Sequence, residues 1–161
     1  QVRADALALF AENSLNRLAV MVENLPRDPT SVYIAGKTNT LDLKTALRLT
    51  GVKESPSNFQ ADLVLIAPDP ILDLSRTLLR DPPPQAEKAI ANGAVYQIPT
   101  VPQNWFAAGS LFRLLGIEWL AQTAYPELFP LDVAEKYREF MEVFYEVRLS
   151  DELVYGTLGK I

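Results

Sequence analysis

Residues 62–70, Asp62-Leu63-Val64-Leu65-Ile66-Ala67-Pro68-Asp69-Pro70, hold an unbroken apolar run that stops at two prolines. A strand with one wet face alternates apolar and polar residues, whereas an unbroken run belongs to a strand covered on both faces, as in a parallel sheet. The flanks repeat this logic. Upstream, Ser31-Val32-Tyr33-Ile34-Ala35 is short, β-branched and aromatic, lies between Pro29 and Gly36, and predicts another strand. Between the two, Thr40 is placed to cap a helix over 41–50 that turns Leu43, Ala46 and Leu47 inward and ends at Gly51. Downstream come a helix from Ile71 to Leu79, an extended break at Asp81-Pro82-Pro83-Pro84 and a helix from Gln85 to Ala91. An Asn92-Gly93 turn then leads into a strand from Val95 to Ile98. Alternation of this kind specifies an α/β fold.

The ends of the chain are helical. Leu15, Leu18, Val22 and Leu25 recur at helical spacing and predict a long N-terminal helix closed by Pro26. Ala108-Gly109-Ser110 opens a helix of Leu111, Leu114, Leu115, Ile117, Trp119 and Leu120, which is apolar on most sides and therefore buried, until Pro126 stops it. Asp132 then caps an amphipathic helix with Val133, Tyr137, Phe140, Met141 and Phe144 on one face and Glu135, Lys136, Arg138, Glu139 and Glu142 on the other. The whole predicts a three-layer, Rossmann-like lobe: a short, mostly parallel sheet, helices on both faces, and further helices at the C-terminal end. With 161 residues, 48% of them apolar, the chain can bury roughly two thirds of its unfolded surface, enough for a single core.

Composition excludes several classes of chemistry. The formal net charge of −5 opposes phosphate backbones, and no basic cluster offsets it, so nucleic acid is not an expected partner. The absence of Cys removes thiolate catalysis and disulfides. The absence of His removes Ser-His-Asp activation and the commonest transition-metal ligand. No metal site, resident cofactor or catalytic residue is assigned, and an enzyme is not expected. Ser110 has no histidine base and reads as a helix cap. Gly36-Lys37-Thr38 follows a strand, but a phosphate-binding loop needs a glycine five positions earlier, where Ser31 stands.

Residues just beyond the carboxyl ends of parallel strands line the usual ligand crevice of open α/β sheets. Lys37 and Thr38 either touch a ligand there or form a solvated loop. Asp69 and Asp73 flank a helix start, where carboxylates also cap free amides. Trp105 leaves the third strand on a loop stiffened by Pro99 and Pro102, so it is placed either to stack on an apolar ligand or to pack beneath its own loop.

Several stretches together resemble one family. They are Ala86-Glu87-Lys88-Ala89-Ile90-Ala91-Asn92-Gly93-Ala94-Val95-Tyr96-Gln97-Ile98-Pro99, Asn104-Trp105, Ser110-Leu111-Phe112-Arg113-Leu114-Leu115-Gly116-Ile117-Glu118-Trp119-Leu120-Ala121 and Tyr125-Pro126-Glu127-Leu128-Phe129-Pro130. The pattern is similar to that of the class III substrate-binding proteins of ABC importers, which capture iron-siderophores, haem or cobalamin. The ending from Tyr137 to Val147 with Leu149-Ser150-Asp151-Glu152 resembles that family's terminal helix. The opening resembles the tail of the helix that joins its two lobes, and Val32-Tyr33-Ile34-Ala35-Gly36 the first strand of its C-terminal lobe.

The resemblance implies a C-terminal ligand-binding lobe over residues 26–161, with 1–25 ending the inter-lobe helix and the N-terminal lobe missing. It implies ligand-facing positions at Lys37, Thr38, Asn39, Asp69, Asn104 and Trp105, and a metal-chelate ligand. Its other implied partners are an ABC permease and the second lobe, in a periplasmic or extracellular, membrane-associated setting. Self-association of the isolated lobe through the face a second lobe would cover is expected. Two departures stand out. The connection from Val52 to Ala61 is shorter than the family's, and Arg48 occupies the position where relatives carry a permease-docking glutamate. A competing reading is a single-lobe interaction or regulatory module without transport.

Overall fold

The computed structural model describes residues 2–36, 41–69, 71–159 and 161. Among them, four parallel strands form one sheet: β1 (Ser31–Ala35), β2 (Lys53–Glu54), β3 (Leu63–Ile66) and β4 (Val95–Gln97), in the order β2-β1-β3-β4. The helices are α1 (Val2–Glu23), α2 (Leu41–Thr50), α3 (Leu74–Arg80), α4 (Glu87–Ala91), α5 (Arg113–Ala124), α6 (Val133–Tyr145) and α7 (Asp151–Leu158). The α/β, three-layer, Rossmann-like architecture read from the sequence is the observed one.

Strand periodicity distributes side chains to two cores. Val32, Leu63 and Leu65 join α1, α2, α5 and α6 in the larger core. Their neighbours Ala35, Val64 and Ile66 pack with Leu78 of α3 and with Ala86 and Ala89 beside β4 in the smaller one. Every residue of β3 is buried, which is why its sequence shows no polar alternation. Asp62 ties the layers together at the N-terminal edge. Its Oδ2 accepts from the Ser31 N–H and hydroxyl at 3.0 and 2.9 Å, and its Oδ1 meets the Lys88 ammonium at 2.6 Å.

The structure differs from the sequence reading in five places. The buried stripe of α1 runs through Ser14, Leu18 and Met21, while Leu15 and Val22, expected inside, are exposed. Helix α3 begins at Leu74, three residues later than expected, because the Asp69 carboxylate draws the N–H groups of Ile71 and Leu72 into a turn of their own. Helix α5 begins at Arg113, since Ser110 Oγ accepts the Phe112 N–H at 3.2 Å and leaves Leu111 exposed. Strand β2 was not foreseen: it is two exposed charged residues, fixed by backbone bonds from Lys53 to Thr30 and from Ser55 to Val32 rather than by apolar pattern. Helix α7, capped by Ser150 Oγ on the Leu153 N–H, was also not drawn from periodicity.

Candidate functional site: a pocket at the carboxyl edge of the sheet

Parallel pairing brings the strand exits together. Ala35 of β1 is in register with Ile66 of β3, and Ile66 with Gln97 of β4, so the segments that follow them share one edge. Gly36 makes the exit from β1 with φ of 93°, and a Cβ there would lie 2.5 Å from Leu74 Cδ1, so only glycine lets the chain pass the start of α3.

At this edge a hollow of about 310 Å³ is lined by residues 66–69, 72–75, Gln97 and Thr100. Its polar groups are the Asp69 and Asp73 carboxylates, the Ser75 and Thr100 hydroxyls and the Gln97 amide, which donates to the Ile66 carbonyl at 3.3 Å. The N–H groups of Ile71 and Leu72, at 2.8 and 2.9 Å, hold the Asp69 carboxyl below the usual carboxylate range. The Ser75 hydroxyl at 2.6 Å, with the Arg76 N–H at 3.0 Å, does the same for Asp73. Both acids are therefore charged at neutral pH. The arrangement offers acceptors and negative charge beside the exposed apolar side chain of Leu72.

The residues expected to face a ligand fare differently. Lys37, Thr38 and Asn39, with the cap Thr40, lie outside the described residues. Asp69 lines the pocket. Asn104 turns its Oδ1 onto the Phe106 N–H at 2.9 Å and orders its own loop.

Trp105 requires a correction, because it is 0% exposed and presents no ring face to solvent. Its indole N–H donates to the Val101 carbonyl at 2.9 Å, and its ring stacks on Phe112 at 6.2 Å and meets Tyr137 edge-on at 5.0 Å. The loop closes on itself through the Trp105 N–H and the Pro99 carbonyl, and the apolar faces of α5 and α6 provide an aromatic socket better than water for the indole. Gly116 of α5 admits this approach: a Cβ there would sit 3.0 Å from the Phe106 ring and 3.4 Å from Trp105 Cβ. Trp105 thus positions the segment that follows β4.

Arg48 is exposed near the end of α2, close to the N-terminal edge where Tyr125 Oη links Thr30 and Gly51, and so far from the pocket. Gln97, Thr100, Ser75 and Leu72 were missed as lining residues. The signal that could have found Gln97 and Thr100 is a polar residue ending an apolar strand just before Pro99.

Elsewhere, a largely apolar hollow of about 400 Å³ lies between α1 and residues 128–131. Among the described residues no group of three or more acidic side chains is placed to hold a metal ion, and no helix is long and apolar enough to cross a membrane.

Comparison with known proteins places the fold. No protein-family model matches the chain, and no curated protein matches it by sequence. Among solved structures it is similar to an ABC transporter solute-binding protein from Sulfurospirillum deleyianum, with a TM-score of 0.79 and 25% identity over 96% of this chain and 55% of that one. It is also similar to a periplasmic solute-binding protein from Veillonella parvula, with a TM-score of 0.75 and 17% identity over 96% and 54%. The molybdate-bound periplasmic protein MolA from Haemophilus influenzae gives a TM-score of 0.67 and 17% identity over 91% and 51%. The chain therefore has the architecture of a class III solute-binding-protein lobe and spans about half the length of these proteins.

Proposed function

We propose that this chain is one lobe of a solute-capture protein serving an ABC importer, gripping its solute between the edge pocket and a second lobe. The observation that carries the reading is the pocket of Asp69, Asp73, Gln97 and Thr100 at the carboxyl edge of a parallel sheet, in a fold shared with solute-binding proteins. Asn104, Lys37, Thr38 and Asn39 are further proposed solute contacts, and Trp105 holds the segment that follows β4 in place.

The solute class is a metal chelate: an iron-siderophore, haem or cobalamin. Support comes from a chain without His or Cys, which suits a metal already wrapped in organic ligands better than a bare ion. Capture followed by delivery to a permease involves no bond-making step, so no catalytic residue is assigned. The exposed Arg48 is the proposed permease contact, with a charge that selects an acidic partner residue. The setting is periplasmic or extracellular at a membrane.

Isothermal titration calorimetry with the ferric hydroxamate ferrioxamine B, haem and cobalamin tests this. Saturable binding of one of them supports the reading, and no binding of any at micromolar concentrations overturns the metal-chelate solute.

A further inference from the structure

The turn between β3 and α3 contains a feature that fold stability does not explain. Ile71 is 87% exposed, and Leu72, the next residue and part of the edge pocket's lining, is 59% exposed. Leaving an isoleucine in water forgoes the gain of burying its apolar surface. Yet the turn that does so is firmly built. One oxygen of Asp69 accepts both the Ile71 and the Leu72 N–H, and Asp73 caps α3 through the Arg76 N–H. Leu74, next along, packs against the smaller core. The turn is thus anchored on both sides while its two apolar side chains are held away from the protein interior.

We propose that Ile71, with Leu72, is the apolar contact that selects the solute, and that Asp69 is the positioning residue that holds this apolar lip beside the pocket. The inference rests on the proposed capture role and deepens it. Leu72 lines the pocket and Ile71 directly precedes it in the turn, so a solute large enough to extend past Leu72 reaches Ile71 next. The described lining residues that carry charge are Asp69 and Asp73, both negative. A solute that fits this half-site has an apolar body to lie across Ile71 and Leu72 and a neutral or cationic donor-bearing group for the Asp73 carboxylate, Gln97 and Thr100. A small oxyanion offers neither.

The test is calorimetric titration of the chain with ferrioxamine B, which joins a methylene-rich body to a pendant ammonium, and with molybdate, which has neither. Wild type, Ile71→Ser, Asp69→Ala and Asp69→Asn are compared, with circular dichroism confirming that each remains folded. Ile71 is exposed, so its substitution leaves the fold intact. The expected result is binding of ferrioxamine B and not molybdate, about tenfold weaker in Ile71→Ser and in Asp69→Ala. Asp69→Asn keeps an oxygen that can accept both N–H groups, and it is expected to recover most of the affinity lost in Asp69→Ala. Unchanged affinity in Ile71→Ser, or equal loss in Asp69→Asn and Asp69→Ala, overturns the lip and the positioning role while the capture reading stands. Preference for molybdate overturns the solute class, and no binding of either probe by any variant overturns this inference. The haem and cobalamin titrations then decide the capture reading separately.

Discussion

Trp105 and Tyr137 converge on one acceptor: the indole N–H and the phenol O–H both donate to the carbonyl oxygen of Val101, at 2.9 and 2.8 Å, while their rings meet edge-on at 5.0 Å. Either donor alone keeps that carbonyl partnered. Trp105→Phe and Tyr137→Phe should therefore each lose about 1 kcal/mol through the missing hydrogen bond, apart from any cavity, and the double variant should lose about 1 kcal/mol more than the sum. Urea unfolding of the four proteins measures the coupling. Strict additivity would contradict a shared acceptor.

The same tyrosine gives an alkaline signature. Burial raises the Tyr137 phenol above its ordinary value, with a Thr157 hydrogen bond acting weakly the other way. A folded-state pKa above the unfolded one means a stability contribution that is complete below the unfolded value of about 10 and lost as pH rises beyond it. Tyr137→Phe should accordingly show a shallower loss of stability above about pH 10 than wild type, read from chemical denaturation at several pH values. Tyr96, also raised by burial, remains in both proteins and keeps part of the slope.

Glu118 lies in the middle of α5, 0% exposed, with the Arg17 guanidinium of α1 as its ion-pair partner. Its other oxygen has no hydrogen-bond partner. Arg17→Met strands a carboxylate in the core and should cost about 3 kcal/mol, the low end for a broken buried pair because the Arg17 side chain is 35% exposed. Replacing both, as Arg17→Met with Glu118→Leu, should restore most of that stability. Thermal melts decide, and a harmless single substitution would show that the pair is not electrostatically coupled.

Helix α1 leaves Leu9 and Val20 exposed on one flank of its buried stripe and Leu15 and Val22 on the other. Such a surface favours burial against another chain. Sedimentation equilibrium of the 161-residue chain should show self-association that weakens on Leu15→Glu with Val22→Glu. A monomer at high protein concentration would contradict this expectation.

How legible the molecule was depends on whether a position is set by local pattern or by tertiary competition. Strand β1 and helix α2 were readable to the residue, because Pro29, Gly36 and Gly51 punctuate them and the apolar spacing is unambiguous. The two-sided burial of β3 followed from its unbroken run. The face of α1 was not readable, since apolar residues occur around most of the helix and Leu18 and Met21 pack on partners far along the chain, beside an Arg17–Glu118 pair 101 residues apart. The site was partly legible: Asp69 follows from topology, since a parallel strand must deliver its next residues to the carboxyl edge. Trp105 was misplaced because a rigid, proline-bounded loop looks the same in sequence whether its aromatic points out or in. The deciding partners, Phe112 just before α5 and Tyr137 in α6, lie later in the chain.

Amide NMR mapping of the chain with ferrioxamine B, haem and cobalamin tests whether the carboxyl edge of the sheet is the solute-binding face. A bound compound should shift the amides of Asp69, Ile71, Leu72, Gln97 and Thr100 and leave Arg48 and the α1 hollow at Val20 and Met21 unmoved. Shifts centred on that hollow, or no shifts with any of the three, would contradict it.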